Sequence, residues 1–387
     1  MPSEQVWIWQ QANWPGFAWD QGALAPTLAR ARLAQGKVLG ATRLLDAGLT
    51  MDAVEAILIE DGLTTSAIEG ERLDAQAVRS SVARHLGLSS AGLPKPPRAV
   101  DGLIDVLLDA TRNFETALSV KCLLSWQAAL FPSGYSGLHP IRTGALRGNV
   151  AMEVVSGRMG HEHVHFVAPP RQRLKRELDQ FLAWFNAPSN EIDGLIRAGL
   201  AHLWFIALHP FEDGNGRLAR AITDMALSQD EQQAMRFFSL SAQILRERER
   251  YYTILEQSQR GEMNVTEWLE WFLQQVAAAA TAAEVTLANT MNKARFWLQH
   301  QHLNLNERQR KVLNRLLDAG RDGFEGGINT RKYMSLTKTS RATAYRELTA
   351  LVTLGCLTPT GKGGRSSAYA IVCEALHCSR IEQPKQS

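Results

Sequence analysis

Apolar positions recur at helical spacing along most of the chain. Between residues 24 and 70, Leu24, Leu28, Leu33, Leu39, Leu44, Leu45, Val54, Ile57 and Leu58 follow that spacing. A new helix is expected from Met51 and Asp52, after Gly48, and Gly70 stands where a left-handed helix end is expected. Pro94, Pro96 and Pro97 mark a break. Residues 100–108, 114–130 and 172–186 read as further amphipathic helices. Residues 148–168 differ. They alternate, are rich in Val, and are split by Ser156-Gly157-Arg158-Met159-Gly160, which predicts a β-hairpin closed off by Pro169 and Pro170. Helical spacing returns over 195–208, which ends at His209-Pro210, and then over 217–227, 243–259 and 265–283. The last of these is expected to run on as a connector. The fold class is therefore mainly α, with one hairpin, and no tandem repeat interrupts it.

Composition narrows the functional classes. With 387 residues, 45% hydrophobic and 21% charged, the chain suits a globular protein of two or three domains. No apolar run approaches the roughly 18 residues of a membrane helix, and the N-terminus lacks the basic and apolar regions of a signal peptide. Cys122, Cys356, Cys373 and Cys378 form no ligand pattern. Reduced thiols, a cytoplasmic location and no membrane partner are the expectation. Four tryptophans, Trp7, Trp9, Trp14 and Trp19, are expected to dock the N-terminal segment onto the body. Charge is uneven. Residues 301–380 hold 13 Lys and Arg against 6 Asp and Glu, a net +7, which leaves −4 on the remainder of a chain whose total is +3.

One segment concentrates chemistry: His209-Pro210-Phe211-Glu212-Asp213-Gly214-Asn215-Gly216-Arg217-Leu218-Ala219-Arg220. A helix presents His209 at its end, a Gly-Asn-Gly turn follows, and a second helix opens with Arg217 and Arg220 three residues apart. Converging N–H groups at a helix N-terminus make an anion site. Two arginines on one face add donors for phosphates. Asp213 offers a hard oxygen suited to Mg²⁺, and His209 is the one group there that titrates near neutrality, the natural general base. Together they specify phosphoryl or nucleotidyl transfer.

The segment resembles the Fic family motif, HPFx(D/E)GNGRxxR, at every defined position. The resemblance implies a Fic helical core and transfer of AMP from ATP to a Ser, Thr or Tyr hydroxyl of a protein, possible self-modification included, with ATP and Mg²⁺ as cofactors. By position, His209 is the catalytic base, Asp213 holds the metal, and Gly214, Asn215 and Gly216 cradle the phosphates. Arg217 and Arg220 contact the β- and γ-phosphates, Leu218 and Ala219 belong to the same nucleotide-binding turn, and Phe211 anchors the loop. Gly216 stands where related Doc-type phosphotransferases carry Lys, which favours nucleotidyl transfer.

Thr64-Thr65-Ser66-Ala67-Ile68-Glu69-Gly70-Glu71 is similar to the family's inhibitory helix, (S/T)xxxE(G/N), through Thr65, Glu69 and Gly70. The implied role is a salt bridge from Glu69 to Arg220 that competes with the γ-phosphate. The hairpin lies where the family has a flap that pairs with an extended target by strand addition. His161, His163 and His165 alternate along it; no carboxylate or Cys partner is evident, so exposed polar positions are expected rather than a metal cluster. Tyr251, Tyr252, Arg246 and Gln243 are candidates for the adenine and ribose end. Removal of AMP, with Glu69 aligning water, is the reverse use of the same residues.

The basic C-terminal stretch reads as helix 305–317, a helix from Ile328-Asn329-Thr330 with Thr330 as cap, helix 339–354 and a strand at 367–372. That order looks like a winged helix. Arg341, Tyr345 and Arg346 would then enter a DNA groove, and Lys362 and Arg365 would meet phosphates. The expected domains are 1–92 (N-terminal helical region), 93–285 (Fic core) and 300–378 (winged helix). A homodimer is compatible with this order. The rival reading is an ATP-sensing transcriptional regulator, against which the intact His209 argues.

Overall fold

A computed structural model of the chain describes residues 6–158, 161–187, 191–318, 327–360 and 368–372. The chain divides into two compact units, Met1–Glu284 and Val285–Ser387. Fourteen α-helices and three two-stranded antiparallel sheets are present among the described residues.

The first unit begins with an irregular segment tied down by its tryptophans. Trp9 Nε1 donates to Val167 O at 2.6 Å and Trp14 Nε1 to Glu177 Oε2 at 2.7 Å. Trp14 meets Trp204 edge to face, and Ala18 bonds the backbone of Met263 and Val265. Docking onto the body is thus what these side chains do. Helix α1 (Gln21–Thr42) follows, capped by Asp20. Helix α2 (Ala47–Ile68) starts four residues ahead of the expected Met51, because Asp46 caps it by accepting from Leu49 N at 2.9 Å. Helix α3 (Ala75–His85) was not anticipated from the spacing.

Helix α4 (Arg98–Arg112) lies against α5 (Val120–Leu130). The latter begins at Ser119, whose hydroxyl caps Cys122 N, so residues 114–118 are not helical as the periodicity suggested. Two short strands, β1 (Tyr135–Ser136) and β2 (His139–Pro140), form a small hairpin. Strands β3 (Glu153–Arg158) and β4 (His161–Val167) form the expected longer one, with a bulge between Val154 and Val155. Its turn residues, Met159 and Gly160, lie outside the described residues.

Helices α6 (Arg171–Asn186), α7 (Gly194–Leu208) and α8 (Asn215–Glu231) complete the centre. Every residue of α7 from Leu195 on is buried, and α7 packs along α8. The expected single helix over 243–259 is two, α9 (Leu240–Arg246) and α10 (Arg248–Arg260), because Glu247 leaves helical geometry at φ −107° and ψ 27°. Helix α11 (Thr266–Gln299) runs on past Ala283 as expected.

The second unit has its own core of Val312, Leu313, Ile328, Tyr333, Leu348 and Leu351 with their neighbours. It contains α12 (Glu307–Asp318), α13 (Thr330–Thr337), α14 (Arg341–Thr353) and strands β5 (Leu357–Pro359) and β6 (Tyr369–Ile371). The cap of α13 is Asn329, accepting from Lys332 N at 2.9 Å, and not Thr330, which is the first helical residue. Lys362, Arg365, Cys373 and Cys378 lie outside the described residues; Cys122 and Cys356 are free thiols. No described helix is long and apolar enough to cross a membrane.

The α4–α5 contact depends on Gly102, where a Cβ would sit 2.0 Å from the backbone oxygen of Ala129. Backbone cannot yield as a side chain can, so Gly102→Ala should destabilise the first unit by about 3 kcal/mol, the upper part of the range for overpacking. Urea unfolding of the full chain checks this, and an unchanged midpoint would refute it.

Candidate active site

The site is assembled where α7 stops. Pro210 disfavours helical geometry in the residue before it, and His209 takes the left-handed conformation at φ 46° as the end residue of α7. Its Nδ1 lies 3.2 Å from Ile206 O, a contact only an N–H can make, which leaves Nε2 as the ring's proton acceptor. Burial and the nearby Arg147 guanidinium lower its pKa to about 4, against partial support from Ile206 O, Glu69 and Asp213. His209 is therefore neutral at pH 7, the form a general base requires.

The loop after it is held from within. Phe211 is fully buried. The Asn215 side chain accepts from Phe211 N at 3.0 Å and donates to Phe211 O at 2.9 Å, closing a ring across the turn. Gly214 has φ 90°, and a Cβ there would come within 2.9 Å of the Phe131 ring. Asp213 accepts from Gly214 N at 2.6 Å and from the Ser136 hydroxyl. No side chain caps the start of α8, so its first N–H groups retain the anion-binding character of a helix N-terminus.

A carboxylate already lies there. Glu69 ends α2, and a Cβ on Gly216 would fall 2.1 Å from Glu69 Oε1. The same oxygen accepts from Arg220 Nη2 at 2.7 Å. Arg220, 2% exposed, also donates to Thr65 Oγ1 at 2.7 Å and Thr65 O at 2.9 Å. Arg217 pairs with Glu71 at 3.2 Å and lies 4.8 Å over the Phe131 ring. Two carboxylates spaced two residues apart at the end of α2 thus meet two arginines spaced three apart on α8. Gly70, at φ 85°, makes the turn between them.

The end of α2 is secured from a third side by α10. Arg248 Nε donates to Ile68 O at 2.6 Å, and the Tyr252 hydroxyl to the same oxygen at 3.1 Å. Behind Tyr252, Tyr251 is buried. The Thr223 hydroxyl is committed to Ala219 O, so His202 Nδ1 donates to Thr223 Oγ1 and His202 Nε2 accepts from Tyr251. A cavity of about 550 Å³ opens between these elements, lined among others by Glu69, His209, Asp213, Gly216, Arg248 and Tyr252.

The sequence-derived candidates divide accordingly. His209, Asp213, Asn215, Gly216, Tyr252 and Glu69 line one cavity, and Thr65 and Arg220 converge on Glu69. The Asn215 side chain serves the loop itself. Leu218 and Ala219 are fully buried core residues. Arg246 is not among the cavity residues. It bonds Gln243 at 3.3 Å, and Arg248 takes the cavity position. Glu71, Arg147, Ser136, Arg248 and Glu256 join the site without a motif to announce them. Arg147 Nε donates to His209 O at 2.8 Å. The absence of a carboxylate beside the hairpin histidines, expected from sequence, is corrected: Glu256 of α10 faces His163 and His165.

Comparison with known proteins identifies the family of the domain that carries the site. Residues 117–227 match the Fic/DOC family, and residues 7–88 match a domain of unknown function, DUF4172. The fold resembles a Fic family protein from Desulfovibrio desulfuricans (TM-score 0.52, 17% identity, covering 92% of this chain and 98% of that one). It also resembles a Fic domain containing signaling protein from Bacteroides thetaiotaomicron (TM-score 0.52, 16% identity, 67% and 96% coverage). The chain carries a Fic/DOC family domain in a mainly helical fold shared with Fic proteins.

Burial lowers the pKa of His202 to about 3, with the Arg220 charge adding to the effect. The unfolded chain binds this proton below about pH 6.5 while the folded chain does not, so folding stability is full above that pH and falls as the pH drops toward 3. By pH 5 the loss from this residue is about 2 kcal/mol. The slope of stability against pH between 6.5 and 4 should be flatter in His202→Gln than in the wild type, measured by urea unfolding across that range.

Proposed function

We propose that this protein is an autoinhibited protein adenylyltransferase that transfers AMP from ATP to a Ser, Thr or Tyr hydroxyl of a target protein, itself included, in the cytoplasm. Proteins with Fic domains generally transfer AMP or other nucleotide-derived groups to proteins. One observation carries the finer reading: the Glu69 carboxylate occupies the start of α8 and engages Arg220 inside the cavity that His209 lines.

The residues present fit ATP with Mg²⁺. Among the described residues Arg220 Nη1 is buried without a hydrogen-bond partner, α8 starts uncapped, and Asp213 offers a carboxylate. Asp213 would hold the Mg²⁺, which when bound neutralises phosphate charge. His209 Nε2 takes the proton of the target hydroxyl as its oxygen bonds the α-phosphorus and pyrophosphate leaves. Arg217 and Arg220 bind the outer phosphates once Glu71 and Glu69 release them. Gly216 leaves no room for a side chain beside the carboxylate, and the β3–β4 hairpin offers backbone to an extended target segment. The reverse reaction, release of AMP, uses the same groups.

Intact-mass analysis after incubation with ATP and Mg²⁺ tests the reading. Glu69→Gly should raise AMP incorporation at least about tenfold, the equivalent of ~1.4 kcal/mol in the barrier. His209→Ala in that background should lower it by about 10² to 10⁴ while nucleotide still binds. An unchanged rate in Glu69→Gly would exclude the inhibitory role, and full activity in the His209→Ala background would exclude the base.

For the second unit we propose a winged helix that contacts DNA. The first turns of α14 expose Arg341, Tyr345 and Arg346 on one surface, as a groove-entering helix requires. Affinity should fall steeply between roughly 50 and 200 mM salt, and Arg341→Ala with Arg346→Ala should reduce the log–log salt slope by about 2. A gel shift at low salt without any retarded band would refute DNA contact.

A further inference from the structure

Strand β4 carries histidines at positions 163 and 165. The two-residue period of a strand places them on one face, and their rings meet edge to face at 4.6 Å between centroids. Helix α10 packs against β4 and brings Glu256 to that face. Glu256 Oε2 is hydrogen bonded to His165 Nδ1, and Oε1 lies 3.5 Å from His163 Nε2. The three donor atoms all fall within 4.8 Å of one another.

A tetrahedral ion with bonds of about 2.1 Å needs donors about 3.4 Å apart, so modest side-chain rotations close this set. Two imidazoles and one carboxylate suit a first-row transition ion, whereas Mg²⁺ and Ca²⁺ favour oxygen alone. His163 is exposed and the other two are half-buried, which leaves water access to a fourth position. Arg260 pairs with Glu256 Oε1 at 2.8 Å and also donates to Val164 O at 2.8 Å. That second acceptor remains to it if the carboxylate turns to an ion.

We propose that His163, His165 and Glu256 form a Zn²⁺ site that fastens strand β4 to helix α10. The hairpin is thereby fixed at the edge of the cavity, because Val154, Val155 and His165 line the cavity together with His209. The site is distinct in donor chemistry from Asp213 and does not depend on the reaction proposed above.

The test uses the full chain, stripped with EDTA and titrated with Zn²⁺ by calorimetry without nucleotide. One ion should bind per chain. Affinity should fall about tenfold or more in His163→Gln and in Glu256→Gln, and remain unchanged in Asp213→Ala. Co²⁺ in place of Zn²⁺ should give the visible spectrum of a tetrahedral site, lost in the same two variants. Hydrogen exchange of the β4 amides should slow when Zn²⁺ is added. If Glu256→Gln fails to fold, the exposed His163→Gln still decides. No Zn²⁺ binding, or binding that survives undiminished in His163→Gln, would overturn the proposal.

Discussion

Arg220 needs hydrogen-bond acceptors, and the rest of the site is arranged around that need. A guanidinium with 2% of its surface exposed cannot rely on water, and its five donors demand oxygen partners. The last turn of α2 supplies three: Thr65 Oγ1, Thr65 O and Glu69 Oε1. These contacts partner its Nε and Nη2, leaving Nη1 without a partner among the described residues, and in the same act satisfy a carbonyl that the end of α2 would leave unpaired. Ile68 O is satisfied likewise from α10. The free energy that seats α2 is therefore drawn in part from Arg220, the group that the proposed function assigns to a phosphate. Whatever Glu69 contributes to seating α2, an anion at α8 must overcome, and by reciprocity a bound anion loosens α2 by the same amount.

The layout also holds His209 from several sides. Its backbone oxygen is held by Arg147, its Nδ1 faces its own helix, and its loop is closed by Asn215 onto Phe211. A ring whose Nδ1 faces its own helix has only Nε2 to offer as an acceptor, the nitrogen that the proposed function assigns to the base.

Much of this was legible in the sequence where chemistry is contiguous. The His209–Arg220 run declares its histidine, its turn and its arginines because helix end, Gly turn and helix start follow each other along the chain. Thr65 and Glu69 were legible as the end of one helix. The rest was not, for identifiable reasons. Arg246 was expected in the cavity because 243–259 reads as one continuous helix. The break at Glu247 resets the helical phase, so Arg248 faces inward instead. Glu71 and Glu256 carry no local signal, since their roles depend on which helix faces which. Ser119 and Asp46 moved two helix starts because a side-chain cap outweighs a smooth apolar period.

Gly216 ties two distant positions of the chain into one steric unit. A Cβ there would occupy the space of the Glu69 carboxylate, so residues 69 and 216, separated by most of the first unit, are not independent characters. A larger residue at 216 would have to displace the Glu69 carboxylate from its place beside Arg220, by turning or shortening the residue 69 side chain or by moving the end of α2. The side chain that residue 216 can carry is therefore coupled to a carboxylate supplied by a different helix.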